Sequence, residues 1–169
     1  MRFYHIHKID PGIGYDNLWQ VGKEIKTVDI NPFWNVAVNY SANRGGKIIT
    51  EYQYLLRELS LEIIREREHV NYPSRKRCIW LIRPEENQLL FWVKELGAGP
   101  SNYKIFEVEI DKESGKLFKG RNGFLPNLED CFNNMIESAK KYWNYDQNKQ
   151  LFDDEYLYEG KLKIIREIP

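Results

Sequence analysis

The sequence predicts a single α+β domain over residues 1–169, with an N-terminal strand and a strand-rich C-terminus. Three observations predict it. Apolar residues recur at helical intervals over 51–69 and again from Asn127 onward. Segments such as RFYHIHK, KRCIWLI and NYKIFEVEI alternate or run apolar over strand lengths. No internal repeat, low-complexity tract or linker interrupts the 169 residues, a length that suits one domain with a true core.

RFYHIHK reads as the first strand, with Phe3, His5 and His7 on one face and Tyr4 and Ile6 on the other. DPGIG breaks it. Over 16–49 the pattern is weak: Trp19, Phe33 and Trp34 are expected anchors, Asn31-Pro32 a turn, and 41–47 (SANRGGK) a surface loop. Thr50 and Gln53 have capping-box spacing, so Thr50 is expected to cap a helix over 51–69. Tyr52, Leu55, Leu56, Leu59 and Ile63 form its apolar stripe. Pro73 forces the residue before it out of helical geometry and ends that helix.

KRCIWLI follows, apolar enough to be a strand buried on both faces. PEENQLLFWVKEL reads as a helix with Pro84 in its first turn and Gly97 as its C-terminal stop. NYKIFEVEI is the next strand, and its alternation slips at Phe106, which predicts a bulge or burial on both sides. DKESGKLF reads as a turn into a short returning strand. Asn127 is expected to cap a helix running through Leu128, Cys131, Met135, Ala139 and Tyr142. EYLYEGKLKIIREI closes the chain as two strands around Gly160 or one bent strand.

Equal numbers of basic and acidic residues, 25 of each, remove the broad field on which general nucleic-acid binding depends. Aromatic residues make up 14% of the chain, enough to supply both a core and a cleft wall for a planar ligand. The opening residues carry no secretory h-region and no apolar run reaches membrane-spanning length, so a soluble cytoplasmic protein is expected. Cys78 and Cys131 have neither a CxxC partner nor an activating base nearby in sequence, and read as buried, inert thiols.

Other candidate constellations are thin. His5 and His7 point the same way from a strand, but the sequence offers only His69 beside them, too few ligands for a metal. RGGKIIT lacks the spacing of a phosphate loop, and no GxSxG is present for a serine hydrolase. YPSRKRC, 72–78, puts a serine and an arginine at the entry of the most apolar strand; it reads either as a ligand-facing strand end or as a solvated turn. Asp153-Asp154-Glu155 runs into the final strands and reads either as a solvated turn or as a carboxylate over a cleft.

FYHIHK on the first strand, PSRKRC at a central strand, YKIFEVEID, and EYLYEGKLKII at the end together resemble a small family of uncharacterised bacterial proteins. That family, known as a domain of unknown function, looks like the ADP-ribosyltransferases in fold. The resemblance implies two small packed β-sheets with flanking helices around an NAD cleft. It implies that His5 holds the adenosine ribose or a phosphate, that Ser74 orders the cleft, and that Arg75 pairs with the pyrophosphate. Glu155 would stabilise the cation that develops as the glycosidic bond breaks. Tyr54, Tyr72 or Trp80 would stack on nicotinamide. Two departures stand out: Asp153 occupies the place of a Glu or Gln, and Pro73-Ser74-Arg75 that of Ser-Thr-Ser. Two readings follow. One is an enzyme that cleaves NAD or transfers ADP-ribose to a protein acceptor. The other is an inactive module binding a nucleotide or protein partner. Self-association is expected in either case.

Overall fold

The computed structural model describes residues 1–9, 19–27, 48–97, 99 and 101–169. DPGIG, Phe33, Trp34, the turn at 31–32 and the loop at 41–47 lie outside them. Among the described residues the fold is α+β, with two small antiparallel sheets and three helices. β1 (Arg2–Lys8), β2 (Glu24–Lys26), β4 (Tyr103–Ile110) and β7 (Lys161–Ile168) form one sheet in the order β1-β4-β7-β2. β3 (Ile79–Leu81), β5 (Lys116–Arg121) and β6 (Asp154–Glu159) form the other, in the order β3-β6-β5. The helices are α1 (Ile48–Glu68), α2 (Glu86–Glu95) and α3 (Phe132–Trp143).

Strand periodicity assigns each side chain to one of two cores. Along β6, Tyr156 and Tyr158 join Phe3, Phe106, Val108, Ile110, Leu162 and Ile164 between the sheets. Leu157, of opposite parity, joins Leu61, Ile64, Phe118, Ala139, Tyr142 and Trp143 beneath α1 and α3. A backbone bridge joins the sheets at their edges, with Tyr4 and Ile82 exchanging N–H···O bonds of 2.8 and 2.9 Å.

β1 and β4 pair as their alternation predicts, with Phe3 opposite Val108 and His5 opposite Phe106. The slip at Phe106 has a structural counterpart. Phe106, Glu107 and Val108 are all buried, and the register of β4 against β7 shifts between Glu107 and Val108. The buried Glu107 carboxylate is held by Arg2 at 3.0 Å and Arg166 at 2.5 Å. Gly97 follows α2 with φ of +58°, a left-handed conformation in which a side chain would be strained.

Five expectations need correction. Thr50 is not a cap, because α1 begins two residues earlier. Asn127 accepts a bond from the Glu129 amide in a local turn, and the helix starts at Phe132 behind Cys131, which is therefore exposed rather than buried. KRCIWLI supplies only a three-residue edge strand, because the amides of Arg77 and Cys78 fold back onto the Ser74 carbonyl. β5 does not return along β4: the chain leaves one sheet at Asp111 and enters the other.

The chain crosses back at Gly160, between β6 and β7. The two crossings meet at one corner, locked by Tyr158. Its hydroxyl donates toward the carbonyls of Asp111 at 2.7 Å and Lys161 at 2.8 Å. A Cβ on Gly115 or Gly160 would lie 2.5 Å from that phenol, and one on Gly160 would also lie 2.8 Å from the Gly115 Cα. Because Tyr158 is fully buried and tethered, it cannot yield. Gly115→Ala and Gly160→Ala should each cost about 1–3 kcal/mol in urea unfolding. Gly99→Ala, whose Cβ would meet its nearest neighbour at an ordinary 3.6 Å, should change stability by less than about 0.5 kcal/mol.

Candidate functional site

The turn 73–77 sends its first residues inward and its last outward. Ser74 and Arg75 are buried, at 3% and 2% exposure, whereas Lys76 is half-buried and Arg77 exposed. Arg75 lies between α1, α3 and β6. Its Nε and Nη2 form a fork on Glu58, at 2.7 and 3.2 Å, and its Nη1 donates to Glu155 Oε1 at 2.9 Å and to the Tyr142 hydroxyl at 3.0 Å. The guanidinium also stacks over Trp80 and Tyr142, 5.3 and 5.4 Å from the ring centroids. Tyr142 in turn donates to Glu155 Oε1 at 2.5 Å.

A second carboxylate organises the backbone of the same turn. Glu62 accepts from the Ser74 hydroxyl at 2.9 Å and the Arg75 amide at 2.7 Å, and ion-pairs with Arg65 at 3.1 Å. The Ser74 amide donates instead to Glu159, at 2.9 Å. Gly120 faces Glu155 across the β5–β6 ladder, and a side chain there would collide with the Tyr142 phenol. The network thus draws on five pieces of chain: α1, the 73–77 turn, β5, α3 and β6.

The charges adjust accordingly. Burial works against the Arg75 guanidinium, but Glu58, Tyr142 and Glu155 outweigh it and hold its pKa above the ordinary value. Burial likewise pushes the Glu58 carboxyl up, and Arg75 together with Arg57 pulls it further down, leaving it below the usual carboxylate range. Burial and the Glu155 charge raise the Tyr142 phenol. Burial raises the Cys78 thiol, so it is not a thiolate nucleophile.

His5 sits at the edge of this assembly. Its Nδ1 lies 2.9 Å from the Trp80 carbonyl, and its ring stacks on Trp19 at 4.0 Å. Burial lowers its pKa from 6.5 to about 4, with the Trp80 bond opposing and His7 assisting, so the imidazole is neutral near pH 7. The structure therefore brings Ser74, Arg75 and Glu155 together, with His5 one residue removed through Trp80. Tyr72 and Tyr54 lie elsewhere. Tyr72 packs against His69, Phe118 and Trp143, and Tyr54 lies under the Arg57 guanidinium at 4.9 Å. Among the described residues no three of His, Cys, Asp and Glu gather into a metal-binding set, and no helix is long and apolar enough to cross a membrane.

Glu58, Glu62, Arg65, Tyr142 and Gly120 are the partners that sequence reasoning missed. A signal existed: Glu58, Glu62 and Arg65 fall on one helical face together with Leu61. The stripe expected to be buried, Tyr52, Leu55, Leu56, Leu59 and Ile63, is instead half-buried or exposed. α1 is rotated so that its charged-and-apolar face packs inward.

The chain belongs to the family described as "Protein of unknown function (DUF2441)", which matches residues 31–169. No curated protein matches it.

Glu58→Ala should destabilise the fold by about 3–5 kcal/mol, because it leaves the buried Arg75 without its principal anion. The pH dependence has two parts. Glu58 has a depressed folded-state pKa, so its contribution is complete above the unfolded value of 4.5 and is lost as pH falls through the folded value. His5 remains neutral when folded down to about pH 4 but titrates at 6.5 when unfolded, so stability declines as pH falls between those values. Urea midpoints measured across that window should slope downward toward acid, and His5→Phe should flatten the slope.

Proposed function

We propose that this chain is a binding module of ADP-ribosyltransferase-like architecture, in which the Arg75–Glu155 pair secures the fold and performs no chemistry. Two small packed sheets support the architectural part of this reading, as does the order of His5 on the first strand, Ser74-Arg75 ahead of β3 and Glu155 on β6. One observation carries the functional part: the buried Glu155 carboxylate spends its charge on Arg75 at 2.9 Å and its Oε1 on Tyr142 at 2.5 Å.

A carboxylate that stabilises an oxocarbenium-like transition state must face the sugar on which the charge develops. Glu155 faces a guanidinium and a phenol. Arg75 is equally committed: offering its fork to a pyrophosphate would uncover Glu58, an unpaired buried carboxylate costing several kcal/mol. The Ser74 hydroxyl is donated to Glu62. A neutral His5 supplies a hydrogen-bonding imidazole rather than a cation for a phosphate.

The test is a thermal-shift titration with NAD in which nicotinamide release is followed in the same samples. Binding without turnover raises the melting temperature, by about 2.7 kcal/mol of stabilisation at a hundredfold excess over the dissociation constant, and leaves nicotinamide at background. Release by the wild-type chain that disappears in Glu155→Gln, assayed below that variant's melting transition, would overturn this reading in favour of an NAD-cleaving or ADP-ribosyl-transferring enzyme.

A further inference from the structure

The corner where the chain twice changes sheets holds a groove of about 540 Å³. Its lining comes from the end of β2, the 73–77 turn, the 113–116 turn and the β6–β7 crossing. Gly115 and Gly160 present bare backbone to the groove, their Cβ positions being taken by the Tyr158 phenol. Thr27 pins its floor, accepting from the Gly160 amide at 3.2 Å and donating its own amide to the Gly160 carbonyl at 3.1 Å.

Three cationic residues from three separate elements line it: Lys26, Arg77 and Lys116. Two carboxylates accompany them: Glu159 is already held, by Arg77 Nε at 2.9 Å and by the Ser74 amide at 2.9 Å, and Glu113 is exposed on the 113–116 turn. Arg77 meets Glu159 through Nε, and its planar guanidinium carries two further nitrogens that can donate to an anion. Lys116 Nζ makes one exposed bond, to the Val70 carbonyl at 3.3 Å, which an anion can readily replace. The volume lies within the range of small-molecule sites, while the charged lining suits an ionic ligand rather than an apolar one.

We propose that this groove binds a small molecule through a phosphate or pyrophosphate group held between Lys26, Arg77 and Lys116. The inference rests on the reading of the domain as a binding module and gives that module its ligand class. Because Ser74 holds Glu159 through its amide and Glu62 through its hydroxyl, ligand binding at Arg77 also steadies the turn that carries Arg75.

Calorimetric titration at low salt with inorganic pyrophosphate and with ADP tests it. Both should bind, more weakly as salt is raised. The double variant Lys26→Glu/Lys116→Glu should lose at least about tenfold in affinity for each. Lys94→Glu, a charge reversal on α2 away from the groove, should leave both affinities unchanged. Absence of binding by either probe, or an equal loss in Lys94→Glu, would overturn the proposal. Since the groove variants leave Arg75 and Glu155 intact, the two readings fail separately. Nicotinamide release by the wild type counts against the non-catalytic module, whereas pyrophosphate binding insensitive to Lys26 and Lys116 counts against the groove.

Discussion

Burying a guanidinium obliges the surrounding structure to answer its charge, and Arg75 sets that obligation for this protein. A charge of this kind loses several kcal/mol of hydration, recovered only if carboxylates of good geometry surround it. Glu58 supplies a fork and Glu155 a single strong contact, with Tyr142 bonded to both Arg75 and Glu155. The consequences spread outward. α1 must turn the face bearing Glu58 and Glu62 inward although its more continuous apolar stripe lies on another side. α3 must place Tyr142 against β5, and β5 must present Gly120 there because any side chain would collide with the phenol. Trp80 covers the flat face of the guanidinium and passes its carbonyl to His5.

The acidic run 153–155 follows the same logic and shows why three neighbouring carboxylates can all be buried. Strand parity sends successive side chains to opposite faces. Glu155 points toward α1 and α3 and meets Arg75. Asp154 accepts from the Tyr145 hydroxyl at 2.9 Å and from the Leu151 amide at 2.9 Å, with the Trp92 indole bonded to its carbonyl. Asp153, just before the strand, pairs with Arg121 at 3.0 Å. Each acid has its own donor set, so mutual repulsion is offset locally rather than by water.

Much of the fold was legible because short-range patterns decide it. The alternation of RFYHIHK and NYKIFEVEI fixed the faces of β1 and β4, and the slip at Phe106 marked the stretch where burial becomes continuous. Gly97 marked the stop of α2. What could not be read depends on partners distant in sequence. DKESG and Gly160 look like hairpin turns, and only the tethering of Tyr158 to Asp111 and Lys161 makes them passages between sheets. The inward face of α1 was misjudged because apolar periodicity gives no weight to a glutamate that will meet an arginine 17 residues later. Ser74, Arg75 and Glu155 were singled out; Arg75 and Glu155 do meet, and Ser74 is tied to Arg75 only through Glu62, which, like Glu58 and Tyr142, carries no motif.

The inward network and the outward groove share the 73–77 turn, and this ties stability to binding. Ser74 and Arg75 face the interior, whereas Arg77 lies at the groove with Glu159 between the two halves. A ligand that draws on Arg77 competes for, or completes, the same carboxylate that the Ser74 amide holds. If it completes the set, the turn tightens and Arg75 is fixed more firmly, so binding energy appears as added global stability. If it competes, Glu159 is released and the Ser74 amide loses its acceptor, costing about 1–3 kcal/mol for a donor left unpaired where water is scarce. The groove therefore favours a ligand that leaves Glu159 in place and satisfies the cations around it. A compact phosphate group can approach Lys26, Lys116 and the Arg77 guanidinium in that way, whereas a bulky guanidinium-seeking carboxylate would meet Glu159 itself.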